Sequence, residues 1–298
     1  MSLFAATVTD LLPSFPSRRL LVATPAGPTW TVSVRERGQG PVVVLVHGLG
    51  SSSTQWLPVM KALGAGRRLV AVDLPGFGES PLGRPSVAVA DLAEVVAAMP
   101  AALNARPHLV GHSLGGAVAL AAWWRAPHGF ASLALLAPAG RPDPGLHLSP
   151  LLAAATRLSL ARPLVARWYV SPRHMRSIAR GLVGEPWRLC PVDLDGVRQS
   201  FRLCSFLTQL RGPKPVDLPG FDHRWPRTPG PVRLLWGSRD EVVPVAAAAA
   251  WQAARPGTHL GQVAGAGHLL PLEQPVLVAS WLARFWQQVE HLARAFPF

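Results

Sequence analysis

The chain holds only two cysteines in 298 residues, Cys190 and Cys204. That is too few for a disulfide framework or for a zinc site made of cysteine alone, so a reduced, cytoplasmic protein is expected, with a single bridge between the two left open. Lysine is as scarce, with Lys61 and Lys214 alone. The formal charge of +13 is therefore carried by arginines that are scattered rather than clustered and that are not interleaved with aromatics. This argues against a nucleic-acid partner and looks as much like a G·C-rich coding background as a functional device. Met1 to Arg19 has no basic segment ahead of an apolar run. No later stretch offers about 20 apolar residues free of charge and proline. Neither export nor a membrane span is expected, and no internal repeat or long low-complexity run is visible.

What the chain does have is apolar material, 49% of its residues, enough for a substantial core in one large α/β domain or two small ones. Thr29 to Arg35 alternates like a strand and ends at the turn signal Gly38-Gln39-Gly40-Pro41, which suggests an antiparallel edge. Val42 to Val46 is a continuous β-branched run of the kind buried on both faces of a parallel sheet, and it stops at His47-Gly48-Leu49-Gly50. Gln55 to Leu63 has helical spacing. Leu69 to Val72 is another buried strand, ended by Asp73-Leu74-Pro75-Gly76-Phe77-Gly78. Ser86 to Met99 reads as helix, His108 to Gly111 as strand, and Ser132 to Ala137 as the next strand. Repeated strand, loop and helix units predict an α/β fold with a doubly wound, mostly parallel sheet whose functional loops lie at the carboxyl ends of the strands.

The stretch Leu109-Val110-Gly111-His112-Ser113-Leu114-Gly115-Gly116 fits G-x-S-x-G between an apolar run and a helical one. A serine held at the apex of so sharp a turn sits in strained backbone, and residues two positions either side crowd it unless they lack a Cβ. Gly111 and Gly115 meet that need. From Gly140 to about Pro231 the alternation breaks into prolines, helical patterns such as Leu151 to Tyr169, and many arginines, which reads as an inserted helical cap. The division expected is 1–139 for the first part of the core, 140–231 for the cap and 232–298 for the second part. The sheet resumes at Val232 to Gly237, placing Asp240 just past a strand's carboxyl end. A helix over Val245 to Ala254, a short strand near His259 to Val263, a loop ending at His268 and a closing helix from Pro275 complete it.

With these pieces in order, the chain resembles the α/β-hydrolase family over nearly its full length apart from the cap. The likeness rests on His47 to Gly50, Asp73 to Gly78, Gly111 to Gly115, Gly237 to Pro244, and Gly267-His268 followed by Glu273 and Pro275. The chain order serine, acid, histidine is also the order of that fold. The resemblance implies Ser113 as nucleophile, His268 as general base and acid, Asp240 as the group orienting the imidazole, and the backbone N–H groups of Leu49 and Leu114 as oxyanion donors. The chemistry asks for the same types. A serine hydroxyl is protonated at neutral pH and needs a base within reach, and an imidazole with reference pKa near ~6.5 can take the proton and return it to the leaving group.

The alternatives for single residues are weaker. Glu241 adjoins Asp240, but the motif position favours Asp240. His108 and His112 are spaced like a metal pair, yet a strand and turn do not put both on one helical face and no third ligand cluster follows. Gly48 to Ser53 lacks the lysine and third glycine of a phosphate loop. His47 is expected to hydrogen-bond behind the oxyanion loop, and His174 and His223 to lie on the surface. No metal or organic cofactor is implied.

Ser113 rather than aspartate at the nucleophile position, with Tyr169 as the chain's sole tyrosine, removes epoxide and carbon-halogen hydrolysis. The oxyanion loop also lacks the triple glycine of the hormone-sensitive-lipase-like branch. Hydrolysis of carboxylic esters ranks first, with carbon-carbon hydrolysis of diketones, thioester hydrolysis and perhydrolysis behind it. A receptor or scaffold with slow turnover is the non-enzymatic reading, separated from the rest by turnover of a chromogenic ester. The cap carries 14 Arg or Lys against 6 Asp or Glu. One reading sets those arginines against acidic substrates or gives weak association with an anionic lipid surface. The favoured one makes them a solvated outer face, with leucine, phenylalanine and tryptophan lining a pocket for a small-molecule ester that is neutral, with a short to medium acyl chain. The oligomeric state has no signature.

Overall fold

The computed structural model describes residues 8–25, 27–83, 87–140, 182–184 and 218–295. The expected helix from Leu151 to Tyr169, His174, Lys214 and both cysteines lie outside the described residues. Eight strands form one sheet: β1 (Ser17–Ala23), β2 (Thr29–Arg37), β3 (Val42–Val46), β4 (Arg68–Val72), β5 (His108–His112), β6 (Ser132–Leu136), β7 (Val232–Gly237) and β8 (His259–Val263). The helices described are α1 (Val8–Leu11), α2 (Leu57–Leu63), α3 (Val89–Ala97), α4 (Met99–Leu103), α5 (Leu114–Arg125), α6 (Phe221–Arg224), α7 (Val245–Ala254), α8 (Leu270–Glu273) and α9 (Pro275–Ala295).

The spatial order is β1-β2-β4-β3-β5-β6-β7-β8. β2 runs antiparallel to both of its neighbours, and every pairing from β4 to β8 is parallel. The antiparallel element read at Thr29 to Arg35 is therefore present, but the edge itself is β1, which the sequence reading passes over. Its Arg18-Arg19 followed by Leu20-Leu21-Val22 does not alternate, and the fold leaves Leu21 exposed. The helix read from Gln55 begins instead with a 3-10 turn at Ser53–Trp56, and the one read over Ser86 to Met99 becomes α3 and α4.

Every residue of β3, β5 and β6 is buried, which is why none of these strands alternates. The faces are still distinct. Val44, Val46, Val70, Val72 and Leu109 join one core with α3 and α5, while Val43, Leu45, Leu69, Ala71 and Val110 join the other with α2 and α9. A one-residue slip of any central strand would exchange its two faces, so the register is strongly specified. On the second face Trp286 of α9 is wholly buried and stacks on His108, with ring centroids 5.5 Å apart. At ~25 cal/mol per Å2, burying roughly 200 Å2 of indole contributes about 5 kcal/mol before its entropic cost. Arg67 lies over the same ring at 4.9 Å and bonds Glu290, which also bonds His108. This closes α9 onto the amino ends of the strands.

β3 is hydrogen-bonded to β4 on one side and β5 on the other. The crossover reverses there, and the crevice outside the carboxyl ends of β3 and β5 is the ligand position such a sheet offers. The loops after β3, β4, β5, β7 and β8 carry His47, Asp73, Ser113, Asp240 and His268 to that one edge. No helix among the described residues is long and apolar enough to cross a membrane.

Candidate active site

Ser113 stands between β5 and α5 with φ 53° and ψ −120°. A non-glycine residue at positive φ costs on the order of 1–3 kcal/mol and persists only where its surroundings over-determine it. Here they do. Ser113 donates its N–H to the Leu136 carbonyl at 3.0 Å, and its own carbonyl accepts from Gly116 at 2.9 Å and Ala139 at 3.0 Å. The flanking glycines are required by close approach. A Cβ on Gly111 would overlap the Gly115 backbone, and one on Gly115 would overlap the carbonyl oxygens of Val46 and His47. Leu114 is the first residue of α5, so its N–H is one of the helix's orphan donors at the positive end of the dipole.

The loop after β7 delivers Asp240, 5% exposed, while its neighbour Glu241 is exposed. One carboxylate oxygen, Oδ1, accepts the N–H groups of Val242 and Val243, each at 2.9 Å. The other, Oδ2, accepts from His268 Nδ1 at 2.8 Å. With the proton on Nδ1, the Nε2 atom of His268 is left unprotonated and basic. The backbone of His268 is held as well: its N–H donates to Leu182 at 2.8 Å, and its carbonyl accepts from His112 Nε2 at 2.8 Å.

That last bond links the histidine loop to the residue just before Ser113. His112 Nδ1 accepts in turn from Gln55 Nε2 at 3.0 Å, and Gln55 Oε1 accepts the N–H of Gly48 at 3.3 Å. Burial holds the His112 pKa well below its ordinary range, and the adjacent His268 ring acts in the same direction. His112 is thus a neutral connector. His47 plays a related part: Nε2 accepts from Leu74 at 3.1 Å, and Nδ1 donates to the Gly48 carbonyl at 2.8 Å. Burial lowers its pKa too, against the opposing Asp73 carboxylate and Gly48 carbonyl. The Gly48 carbonyl also accepts from Ser51 at 3.2 Å. Because C=O and N–H point oppositely across a trans peptide, fixing that carbonyl aims the Leu49 N–H the other way. Asp73 ties the neighbouring turns together, accepting from Ser53 and Glu79.

His108 and His112 sit at opposite ends of β5, about 13 Å apart at ~3.3 Å per residue, and share no partner. Among the described residues no cluster of three or more His, Cys, Asp or Glu could hold a metal ion. His223 is exposed as expected. The sequence shows no task for three further participants. Gln55 lies in a stretch read only as helix. Leu182 belongs to the expected cap and holds the histidine loop through its backbone carbonyl, which accepts from His268 and Leu269. Glu273 was visible in the closing motif, but its partners, the N–H groups of Gly267 at 2.9 Å and Gly184 at 3.0 Å, were not.

The chain is similar to proteins of known class. It is 32% identical over 237 residues to the dihydrolipoyllysine-residue acetyltransferase component of the acetoin cleaving system of Pseudomonas putida, covering 78% of this chain and 60% of that one. The chain thus spans less than two thirds of that relative. Over 90 residues, 30% of this chain and 34% of the other, it is 48% identical to pimeloyl-[acyl-carrier protein] methyl ester esterase of Aeromonas hydrophila. The solved structure of a thermophilic esterase from Thermogutta terrifontis superposes with a TM-score of 0.75 at 25% identity, covering 91% of this chain and 99% of that one. The sequence model of the alpha/beta hydrolase family matches residues 43–281, from the start of β3 into α9 and across all five loops at the sheet edge, and the chain belongs to that family.

Proposed function

We propose that the protein hydrolyses carboxylic esters through an acyl-enzyme on Ser113, with His268 as general base and acid and Asp240 as its orienting carboxylate. Ser113 Oγ attacks the ester carbonyl while its proton passes to His268 Nε2, and the oxyanion takes hydrogen bonds from the Leu49 and Leu114 N–H groups. Collapse breaks the carbon-oxygen bond, and the leaving alkoxide takes the proton from Nε2 and departs as alcohol. Water then attacks the acyl-enzyme, giving a proton to Nε2. The second collapse returns that proton to Ser113 Oγ and releases the acid. Asp240 supports the imidazolium formed in each half-reaction through the Nδ1–H bond.

The observation that carries this reading is the bond from His112 to the His268 carbonyl, which makes the strained serine turn and the Asp240–His268 pair one hydrogen-bonded unit. The esterases among the relatives support the bond class. We further assign residues 140–231 to a cap over residues 1–139 and 232–298, with a mainly apolar pocket for neutral esters of short to medium acyl chain. We place the protein in the cytoplasm on its cysteine content. The test is turnover of a p-nitrophenyl ester series by the purified protein and by Ser113→Ala. The variant should keep its fold and retain no more than the roughly 10³ to 10⁴-fold rate over water that binding and oxyanion donors give. A fluorophosphonate should add one label, at Ser113, and a neutral ester should exceed its ω-carboxylate analogue at low and high salt alike. Near-normal activity of Ser113→Ala would overturn the assignment.

A further inference from the structure

Glu273 lies five positions beyond His268, and the mechanism gives it no task. Its side chain is 7% exposed, and its partners are backbone amides rather than a cation. Burying a carboxylate in this way is costly, and burial pushes its pKa above the ordinary carboxylate range, with the nearby Asp240 charge acting the same way and the amide N–H groups opposing it. The amides it holds belong to different parts of the chain. A single oxygen, Oε2, accepts from Gly267, immediately before His268, and from Gly184, at the end of the segment Leu182–Gly184.

The two stretches cross backbone against backbone. A Cβ on Gly184 would overlap Gly265, Ala266 and Gly267, and a Cβ on Gly267 would overlap Leu182, Val183 and Gly184. Only a pair of glycines permits that approach. Around the crossing, the Leu182 carbonyl accepts the N–H groups of His268 at 2.8 Å and Leu269 at 3.3 Å. Arg239, adjacent to Asp240, donates its Nη1 to the Gly184 carbonyl at 3.3 Å and its backbone N–H to Ala266 at 2.9 Å. The acid loop, the base loop and Leu182–Gly184 are stitched at one point, with Glu273 beneath it.

We propose that Glu273 is a positioning residue for the base: by holding Gly267 and Gly184 on one oxygen it keeps the His268 loop seated against Leu182–Gly184, and so keeps the imidazole in line with Asp240. The inference rests on the hydrolytic reading above. Its consequence is that the segment at residues 182–184 sets the geometry of a group contributed by the sheet edge. A misplacement of the base by about 1 Å costs on the order of 10²-fold.

The test uses the full chain with p-nitrophenyl butyrate. Glu273→Ala should lower kcat roughly 10- to 100-fold with KM changed less than about three-fold. In proton NMR, the low-field signal of the His268 Nδ1–H bonded to Asp240, assigned by its absence from His268→Gln, should be lost in the same variant. Glu273→Gln keeps a carbonyl oxygen able to accept both N–H groups and should restore both readouts. Gly184→Ala disturbs the crossing from its other side and should reproduce the alanine result, and it carries the test alone if Glu273→Ala does not fold. Unchanged kcat and an intact low-field signal in the folded variants would overturn the proposal, as would an equal loss in Glu273→Gln. Failure of the wild-type protein to turn over ester or to take a phosphonate label would refute the hydrolytic reading instead, and the NMR signal would still decide the role of Glu273.

Discussion

Replacing Asp240 by asparagine tests the site at the level of a single proton. The carboxylate's two oxygens are not equivalent: Oδ1 accepts from Val242 and Val243, and only Oδ2 faces His268 Nδ1. In Asp240→Asn the amide oxygen must take the Oδ1 position, because an NH2 there would meet two N–H donors and leave all of them unsatisfied at a buried site. The NH2 therefore faces His268 and donates to Nδ1. That forces the imidazole proton onto Nε2, the atom that receives the Ser113 proton in the proposed mechanism. The expected loss in kcat is about 10⁴-fold, or about 5.5 kcal/mol of transition-state stabilisation, the size this exchange has in Ser-His-Asp enzymes with intact geometry. Since the side chain is isosteric and fully enclosed, the melting curve should shift little and phosphonate labelling of Ser113 should slow in parallel with turnover. A variant that folds and retains more than a tenth of the wild-type kcat would refute the tautomer argument.

His108 offers a test of stability against pH. Its pKa is pushed down to about 4, chiefly by burial, with Arg67 and Arg106 adding to the shift and Glu290 opposing it. A folded-state value below the unfolded ~6.5 means that between these two the unfolded chain binds the extra proton, so stability is complete above ~6.5 and falls as pH drops toward about 4. From pH 7 to about pH 4.5 this one group should remove on the order of 2 kcal/mol. His108→Gln should flatten the urea-unfolding free energy by that amount across the window, and parallel wild-type and variant curves would contradict it. Gly115→Ala should fare badly for a different reason, since its new Cβ meets the backbone oxygens of Val46 and His47, which cannot swing aside. A loss of roughly 1–3 kcal/mol and a kcat drop of about 10²-fold are expected from thermal melts and ester assays, and normal turnover would remove the crowding argument.

Much of this site is legible in the sequence because its chemistry depends on residue type at short spacing. Gly111, Ser113 and Gly115 announce the strained turn, since only glycine fits where β5, α5 and the loop after β3 approach one another. The central strands are equally plain, because burial on both faces demands unbroken apolar runs. Asp240 and His268 follow from their positions just beyond strand ends. β1 stays hidden because its order depends on pairing with β2 rather than on any alternation of its own. The preference for Asp240 over Glu241 is a matter of motif in the sequence and of burial in the fold. Tertiary structure alone decides the connections: that Gln55 and His112 join the loop after β3 to the His268 loop, and that Leu182–Gly184 lies across the His268 loop above Glu273. Each of these bonds uses a backbone amide or carbonyl, or a side chain far away in the chain, and backbone polar groups carry no residue identity for a sequence to display.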